Sequence, residues 1–233
     1  IDKSKVYNTT IKKDNKEVYG DLIVGDYLIK ENEAIVSKNL SNALNAIEGS
    51  YIYLGDNARA PYGTRSFEVV YHYTKEAVQK LFDLNCRLVI LACNTASAKA
   101  LRTIQQLDLP VMAPEKRVLG VIRPSVEALA GYSSNGHIGI LATRGTVASC
   151  SYPLEVEKWY GKDRYHITQL ACPMWVPLVE NNEFESEGAA YFVKKDIVKL
   201  FAIDPAIDTI VLGCTHYPLL KPMIDRFVPK QVS

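Results

Sequence analysis

Two segments of the sequence end a run of apolar residues with a cysteine and continue with two polar residues. They read Leu-Val-Ile-Leu-Ala-Cys-Asn-Thr at 88–95 and Thr-Ile-Val-Leu-Gly-Cys-Thr-His at 209–216. A thiol suits proton transfer because its unperturbed pKa of about 8.5 lies near neutrality and neighbouring donors can lower it. Cys93 and Cys214 are therefore the first candidates for a catalytic acid and base.

The repetition indicates two related halves that face one another, each with one thiol at the end of a strand. In open α/β sheets, ligands bind just past the carboxyl ends of the strands. Two opposed thiols could remove a proton from one face of a carbon and return a proton to the other face. A buried cysteine is more often a small apolar core residue, but the matched pair and its polar neighbours favour chemistry.

The elements that must position these cysteines follow an α/β pattern. From about Ser50 onward, short apolar runs alternate with segments of helical period, which predicts parallel strands joined by crossover helices. Helices are expected at 67–84 and 97–107, the second capped by Thr95 or Ser97. The predicted strands are 51–54, 88–92, 118–122, 137–141, 166–170 and 209–213.

Three prolines, Pro110, Pro114 and Pro124, are expected to interrupt regular structure and to mark a domain junction near 114–124. The sequence thus predicts two similar domains with largely parallel sheets, 1–116 carrying Cys93 and 117–218 carrying Cys214, with a single active site between them. The first 50 residues are atypical, being rich in Lys, Asn, Asp and Glu. Only 21–29 and 34–47 show an apolar pattern there, so two expectations remain open: the segment forms an edge strand and a helix, or it is partly disordered.

Composition excludes several classes of partner. The 233 residues contain 27 Lys and Arg against 26 Asp and Glu, so the net charge of +1 provides no field for nucleic acid or an acidic membrane. No run approaches the roughly 20 apolar residues of a membrane span, and the N-terminus does not resemble a secretory signal. We therefore expect a cytoplasmic protein with a small-molecule partner.

The cysteines and histidines show no cofactor or metal motif. Five cysteines, an odd number without a CxxC pair, argue against a disulfide framework and a zinc site. His72, His137 and His166 lack metal-ligand spacing, and the sequence has neither a dinucleotide-binding fingerprint nor a phosphate loop. Neither a metal nor a cofactor is expected.

The two cysteine segments resemble the signature motifs of the glutamate racemases within the aspartate/glutamate racemase family. Four further segments agree with that family, in the family's order, so that the likeness runs from about residue 50 to about residue 230. They are Tyr-Leu-Gly-Asp-Asn-Ala-Arg-Ala-Pro-Tyr-Gly at 53–63, Gly-Val-Ile-Arg-Pro at 120–124, Ile-Gly-Ile-Leu-Ala-Thr-Arg-Gly-Thr at 138–146, and Ala-Cys-Pro-Met-Trp-Val-Pro-Leu-Val-Glu at 171–180.

This resemblance implies a role for each matching residue. Cys93 and Cys214 would be the proton-transfer groups, and His216 and Glu180 would assist them. Amide, hydroxyl and backbone N–H groups can bind a carboxylate without placing a permanent charge beside a thiolate. The residues implied to hold the substrate are Tyr62 and Gly63 through their backbone, Asn94, Thr95, Thr146, Thr215 and His216.

Other polar residues near the motifs receive structural roles. Asp56 and Arg59 are expected to form an ion pair or loop hydrogen bonds rather than to contact substrate. The family assigns neither Cys150 nor Cys172 to catalysis, so both are expected to be core thiols.

The sequence departs from the family near its two ends. Family members begin with a strand that leads into Asp-Ser-Gly, where the Asp assists one cysteine and the Ser binds substrate, and no such motif occurs here. Counting back from the 53–63 loop places it at 28–33, and Asp26 is the nearest candidate substitute. The family also continues beyond the second cysteine motif with residues that pack on the first domain, so 219–233 is expected to return there.

The resemblance implies cofactor-independent interconversion of L- and D-glutamate, which in a bacterium supplies D-glutamate for peptidoglycan. Family members are commonly dimers, so a homodimer is a further expectation. Two alternatives remain open. An aspartate racemase would differ only in pocket depth, and a catalytically impaired or non-catalytic member would bind an acidic amino acid without turnover.

Overall fold

The structure is a computed structural model that describes residues 52–232 and six short strands before them. The chain divides into two compact units, the first comprising Ile1–Tyr62 and Phe67–Gly120 and the second Gly63–Ser66 and Val121–Ser233. Each unit contains parallel strands with helices, which confirms the predicted α/β class. In the part of the chain that is described, no helix has both the length and the apolar character needed to cross a membrane.

The first unit contains a five-stranded sheet. Numbered in chain order, its strands lie side by side as β1 (Asn8–Thr9), β7 (Tyr53–Leu54), β4 (Leu22–Val24), β8 (Leu88–Leu91) and β9 (Arg117–Gly120). The last four are parallel, whereas β1 runs antiparallel to β7 at the edge. The other early strands form two antiparallel pairs, β2 (Lys12–Lys13) with β3 (Lys16–Glu17) and β5 (Ile29–Lys30) with β6 (Glu33–Ala34).

The apolar run at 21–29 was expected to form an edge strand, and this expectation is wrong. Leu22–Val24 lies inside the sheet, hydrogen-bonded to β7 on one side and to β8 on the other. Three consecutive apolar residues suit such a position, because strands of a parallel sheet tend to be covered on both faces. Apart from Ala34, the helix predicted at 34–47 lies outside the described residues.

The long helix of the first unit, Phe67–Asp83, matches the prediction for 67–84. Its buried side chains recur at helical spacing: Val70, Thr74, Ala77, Val78, Leu81 and Phe82. This spacing creates one apolar stripe that can bury itself on the rest of the unit. The helix ends at Asp83, and Asn85 then turns the chain with a positive φ of 66° towards β8.

The helical region after β8 begins earlier than predicted. The first helix is Asn94–Lys99, and its cap is Cys93 rather than Thr95 or Ser97. Ser97 instead donates a hydrogen bond from Oγ to the carbonyl oxygen of Leu91. The region continues as Leu101–Thr103, a π-helical stretch at Ile104–Asp108 and Leu109–Met112.

The change of unit after Gly120 falls within the junction predicted near 114–124, but residues 117–120, which were assigned to the second domain, belong to the first unit. β9 pairs in parallel with β8, in register Leu88↔Arg117, and so forms the edge of the first sheet. Pro110 and Pro124 do not end regular structure as expected, since Pro110 lies within the helical stretch that runs from Leu101 to Met112 and Pro124 lies in the first turn of Ile122–Glu127. The amides of a first turn have no intrahelical partner, so a proline there loses no hydrogen bond.

The second unit contains a three-stranded parallel sheet in the order β11 (His166–Ala171), β10 (His137–Ala142) and β12 (Thr209–Gly213). These strands confirm the predictions at 137–141, 166–170 and 209–213. Central β10 is apolar on both faces, and Ile138, Ile140 and Leu141 are fully buried. Because Ala142 pairs with both Ala171 and Gly213, the three strands end at the same level.

Helices follow the strands of the second unit and supply the rest of its core. Trp175 and Tyr217 are both fully buried, with ring centroids 4.8 Å apart. The helices are Ile122–Glu127, Arg144–Ala148, Ser151–Tyr160, Trp175–Glu180, Glu187–Ile203 and Lys221–Ile224, with 3-10 turns at Leu129–Gly131 and Tyr217–Leu220.

The expectation that 219–233 returns to the first domain is wrong for the described part of that segment. Residues 219–232 belong to the second unit. Leu220, Met223 and Ile224 are buried, and the short helix Lys221–Ile224 packs on Glu187–Ile203. Burial of these apolar side chains within the unit holds the segment there.

Candidate active site

A group of polar residues of the second unit lies where its three strands end. Thr143 to Thr146 follow β10, Cys172 follows β11, and Cys214 to His216 follow β12. Because the strands are parallel and end together, these segments share one edge of the sheet, which we call the carboxyl edge. This is the position at which open α/β sheets bind ligands.

A row of three side chains stands at the carboxyl edge. The Sγ atom of Cys214 lies 3.7 Å from Nδ1 of His216, and Nε2 of the same ring lies 2.5 Å from Oε1 of Glu180. Cys214 and His216 are 6% and 3% exposed, whereas Glu180 ends the helix Trp175–Glu180 and is partly exposed. The structure thus unites three residues that the sequence analysis assigned to the same chemistry.

The row has the form of an acid–base relay. A carboxylate on one ring nitrogen keeps a proton there and stabilises the imidazolium, so the opposite nitrogen can exchange a proton with its neighbour. That neighbour is the Cys214 thiol. His216 can therefore draw a proton from Cys214 or return one to it, with little access for water because both side chains are buried.

Thr146 lies beside the row in a turn built by hydroxyl groups. Thr143 caps the helix Arg144–Ala148, where its Oγ1 accepts a hydrogen bond from the backbone N–H of Thr146 at 3.2 Å. The hydroxyls of Thr143 and Thr146 lie 3.1 Å apart, and Thr146 is fully buried. Thr215, between Cys214 and His216, is only partly buried and so can also present its hydroxyl to a ligand.

Gly63 packs against the same turn. Its carbonyl oxygen accepts a hydrogen bond from the N–H of Gly145 at 3.1 Å. A Cβ atom at Gly63 would lie 2.8 Å from Cγ2 of Thr143, which is closer than carbon atoms approach. A glycine is therefore needed here, because any side chain would displace the Thr143 turn.

In the first unit, Cys93 occupies the corresponding place after β8. Its side chain is 4% exposed, and its Sγ accepts a hydrogen bond from the backbone N–H of Ala96 at 3.5 Å. Such a donor favours the thiolate form. Asn94 and Thr95 form the first turn of the helix that follows and are buried beside the cysteine.

The strand beside Cys93 bears on the missing Asp-Ser-Gly motif. β4 pairs with β8 in register Val24↔Leu91. Cys93 comes two residues after Leu91, and Asp26 comes two residues after Val24, although Asp26 itself lies outside the described residues. The counted position, 28–33, contains β5 and the first residue of β6, which pair with each other in antiparallel orientation.

The loop after β7 forms the structural ion pair that the sequence analysis expects. Arg59 Nε lies 2.7 Å from Asp56, and Arg59 Nη1 lies 2.5 Å from Glu76. The Tyr62 hydroxyl also donates a hydrogen bond to Asp56, and the Tyr62 ring is almost completely buried. Asp56 therefore holds Arg59 and Tyr62 of its own loop in place. Because the Tyr62 side chain is used in this way, only its backbone can bind a ligand.

The two remaining cysteines near the motifs differ from each other. Cys172 is buried, as expected, and its burial together with nearby Asp196 raises the pKa of the thiol. Cys150 is exposed, so its assignment to the core is wrong. It has a positive φ of 51° between two helices, a turn position that faces solvent. All five cysteines lie in the described region, and none forms a disulfide.

A second group of ionisable side chains, missed by the sequence analysis, lies at the opposite edge of the second sheet. His137 and His166 are the first residues of β10 and β11, and Asp204 follows the helix Glu187–Ile203. Their spacing matches no ligand motif, because three different elements contribute them. The sequence did place each histidine at the start of a predicted strand, which could have indicated that the two lie at the same edge of the sheet.

Known proteins resemble this chain over most of its length. The family described as Asp/Glu/Hydantoin racemase matches residues 34–232. A glutamate racemase of Listeria innocua is 42% identical over 182 residues, which are 78% of this chain and 64% of the relative. A glutamate racemase of Bacillus cereus is also 42% identical, over 183 residues. The chain therefore spans less than two-thirds of the length of these relatives.

Solved structures agree with the sequence comparisons. A glutamate racemase isoform of Bacillus anthracis has a TM-score of 0.76 and 30% identity, covering 93% of this chain and 75% of that one. The glutamate racemase of Francisella tularensis in complex with D-glutamate has a TM-score of 0.74 and 26% identity, covering 90% and 73%. With the fold, the two cysteine motifs and the family match in agreement, this chain belongs to the Asp/Glu/Hydantoin racemase family.

Proposed function

We propose that this protein interconverts L- and D-glutamate by proton transfer at the α-carbon, with Cys93 and Cys214 as the two proton-transfer groups. The observation that carries the proposal is the row Cys214, His216, Glu180, with separations of 3.7 and 2.5 Å. Such a row supplies a thiol whose proton can be moved. A thiol that only filled space in a core would need no neighbouring acid–base pair.

The reaction needs one thiolate and one thiol. The thiolate takes the α-proton of one enantiomer and becomes a thiol, leaving negative charge on the α-carbon and its carboxylate. The opposite thiol then donates its proton to the other face and becomes a thiolate. The product is the opposite enantiomer, and the reverse reaction starts from the state that remains. No pyridoxal phosphate enters these steps.

The residues around each cysteine have different tasks in this scheme. His216, oriented by Glu180, takes up or returns the Cys214 proton. At Cys93, the Ala96 N–H favours the thiolate. The amide of Asn94, the hydroxyls of Thr95, Thr146 and Thr215, and the backbone of Tyr62 and Gly63 would bind the substrate carboxylates and ammonium group.

Glutamate is the proposed substrate because the Listeria and Bacillus relatives are glutamate racemases and the Francisella structure contains D-glutamate. We extend the proposal to a cytoplasmic role in supplying D-glutamate for peptidoglycan, and to a homodimer as the assembly. Turnover of glutamate and aspartate measured side by side tests the substrate, and light scattering of the purified chain tests the assembly.

The test of the reaction is proton NMR of the α-hydrogen in D2O, with L- and D-glutamate incubated separately. The wild-type chain is expected to exchange the α-proton of both enantiomers. Cys93→Ala and Cys214→Ala should each abolish inversion, and each should retain exchange with the one enantiomer that the remaining thiol can deprotonate. The two variants should prefer opposite enantiomers.

Cys150→Ser is the matched control, because this cysteine is exposed and outside the proposed machinery. It should exchange both enantiomers at the wild-type rate. Absence of exchange in a wild-type chain with a cooperative melting transition would contradict the proposal. If both alanine variants retained full inversion, the assignment of the cysteines would be wrong.

Asp26→Asn tests whether this residue replaces the aspartate of the missing motif. Val24 pairs with Leu91, and Asp26 and Cys93 each come two residues after one of these paired residues, which motivates the substitution. Loss of a helper base is expected to reduce turnover by about a hundredfold without abolishing exchange. Unchanged turnover would exclude Asp26 from the reaction.

A further inference from the structure

The amino edge of the second sheet, where β10 and β11 begin, brings two imidazole rings together. His137 and His166 are the first residues of these strands and are directly paired in the parallel register. Paired residues of neighbouring strands point to the same face of a sheet. The ring centroids are accordingly 5.1 Å apart.

Asp204 places a carboxylate oxygen between the two rings. Its Oδ2 lies 2.9 Å from Nδ1 of His137 and 3.8 Å from Nε2 of His166. All three ligand atoms lie within 4.8 Å of one another. A tetrahedral ion with bonds of about 2.1 Å requires ligand atoms about 3.4 Å apart, and the two measured separations to Asp204 fall on either side of that value.

The carboxylate is held in place before any ligand arrives. Asp204 is only 6% exposed, its Oδ1 accepts a hydrogen bond from the N–H of Ala206 at 3.0 Å, and Thr168 lies 3.5 Å from Oδ2. These contacts fix the position and orientation of the carboxylate, which is a ligand that divalent ions of the zinc class accept.

Asp204 also follows the last turn of the 17-residue helix Glu187–Ile203, and its N–H closes that turn on Leu200. A helix C-terminus carries partial negative charge and attracts cations. The side chains of His137 and His166 are 37% and 64% exposed, so an ion can reach the three ligands from solvent. Water can then complete its coordination.

We propose that His137, His166 and Asp204 form a binding site for one divalent transition-metal ion of the zinc class. Two imidazoles and one carboxylate are ligands that Zn²⁺, Co²⁺ and Ni²⁺ accept. The ion would join the starts of β10 and β11 to the end of the helix Glu187–Ile203. The site is structural rather than catalytic, because Cys214 and His216 lie at the other end of the same sheet.

Titration of the purified chain with Co²⁺ tests the site, because the visible spectrum of cobalt reports its ligands. We expect one ion per chain with nitrogen and oxygen coordination and without the intense near-ultraviolet band of a cobalt–thiolate bond. The imidazole proton resonances of His137 and His166 should broaden together in the NMR spectrum, and Zn²⁺ should displace the cobalt and raise the melting temperature.

His166→Ala removes the most exposed ligand, so its effect on folding is expected to be small. It should weaken Co²⁺ binding about tenfold or more, by analogy with loss of a supporting group at known sites. His72→Ala is the matched control, because His72 is exposed and lies 3.8 Å from a carboxylate of Glu68, with no third ligand among the residues that the structure describes. Its affinity should equal that of the wild type.

Three results would overturn the proposal: no binding of Co²⁺, binding with a dominant thiolate band, or equal affinity in His166→Ala and the wild type. The ordinary alternative, a His137–Asp204 ion pair that takes no metal, predicts the first of these. Glutamate α-proton exchange in His166→Ala should equal that of the wild type, so this test stands apart from the test of the reaction.

Discussion

The carboxyl edge and the amino edge of the second sheet carry similar groups of side chains in different states. Each edge contains a carboxylate in contact with a histidine: Glu180 with His216 at the carboxyl edge, and Asp204 with His137 at the amino edge. At the carboxyl edge the histidine is buried and its second nitrogen faces a thiol. At the amino edge the histidine is partly exposed and the carboxylate is buried.

The difference teaches that a histidine–carboxylate pair acquires its role from its burial and from the third group beside it, which is the thiol of Cys214 at one edge and the second imidazole, His166, at the other. A buried ring that faces a thiol can only move that proton, which suits catalysis. A solvent-facing ring beside a second histidine offers lone pairs to a cation instead. Substitutions at the two edges should therefore affect different measured quantities.

The largest expected effect is that of His216→Asn on turnover. Asparagine fills a similar volume but cannot accept and return the Cys214 proton, so kcat should fall about a hundredfold or more. Racemisation followed by circular dichroism measures the effect, and the thermal melt reports any accompanying loss of stability. A variant with wild-type kcat would show that Cys214 exchanges its proton with water instead.

Glu180→Gln should have a smaller effect of the same kind. The amide can still hydrogen-bond to the ring, but it does not stabilise the imidazolium, so we expect kcat to fall about tenfold with little change in KM. Glu183→Gln is the control, since this exposed acid lies three residues further along the chain. If the two variants had the same kcat, Glu180 would only cap the local structure.

Asp208→Asn should affect stability and leave turnover unchanged, because this residue lies at the amino edge. Its carboxylate accepts hydrogen bonds from the N–H groups of Ser134 and Asn135 and from the hydroxyls of Ser133, Ser134 and Thr209. The variant replaces one acceptor oxygen with an amide N–H group, and because three of the hydrogen bonds are exposed to water the cost should be about 0.5–1.5 kcal/mol of unfolding free energy at pH 7.

The pH dependence of this effect has a definite sign. Burial opposes ionisation of Asp208, but the hydrogen bond from the Asn135 N–H, followed by those from Ser133 and Ser134, lowers its pKa. Its stabilisation is complete above the unfolded pKa of about 3.9 and is lost as the pH falls below that value. Urea unfolding should show a gap between wild type and variant that is constant from pH 6 to 8 and narrows below about pH 4. A gap that widened in acid would contradict this assignment.

The last prediction concerns the rate at which iodoacetamide alkylates the thiols, where the smallest change is expected at Cys172. This residue follows β11 at the carboxyl edge but is not assigned to proton transfer. Burial and Asp196 raise the pKa of its thiol, so it should react slowly with iodoacetamide at pH 8. Exposed Cys150 should react fastest in the native chain. Mass spectrometry of the alkylated peptides separates the two, and rapid labelling of Cys172 would place it among the reactive thiols.

Much of the second unit could be predicted from sequence because its signals are local. Apolar runs at 137–141, 166–170 and 209–213 can be buried on both faces only as strands of a covered sheet. The residues after each strand then fall at one edge, which also brings Cys214, His216 and Glu180 together. The family resemblance assigned these residues roles that the pattern alone left open.

The errors arose where structure depends on distant partners. The neighbours of Leu22–Val24 are set by strand pairing, and no local pattern distinguishes an interior strand from an edge strand when both are short. The cap at Cys93 was missed because cysteine is an uncommon cap, and the cluster of His137, His166 and Asp204 was missed because three elements supply it. Exposure of Cys150 depends on a turn with positive φ, which its sequence does not signal.

The assignment of Gly63–Ser66 to the second unit determines how the protein can be divided experimentally. The chain passes between the units at three peptide bonds, after Tyr62, after Ser66 and after Gly120. No single cut therefore separates them. A fragment starting at Val121 would lack the Gly63 carbonyl that holds the N–H of Gly145, at the turn that carries Thr146. A fragment in which a linker joins residue 66 directly to residue 121 would preserve that turn, so domain dissection of this protein should start from such a linked fragment rather than from a single truncation.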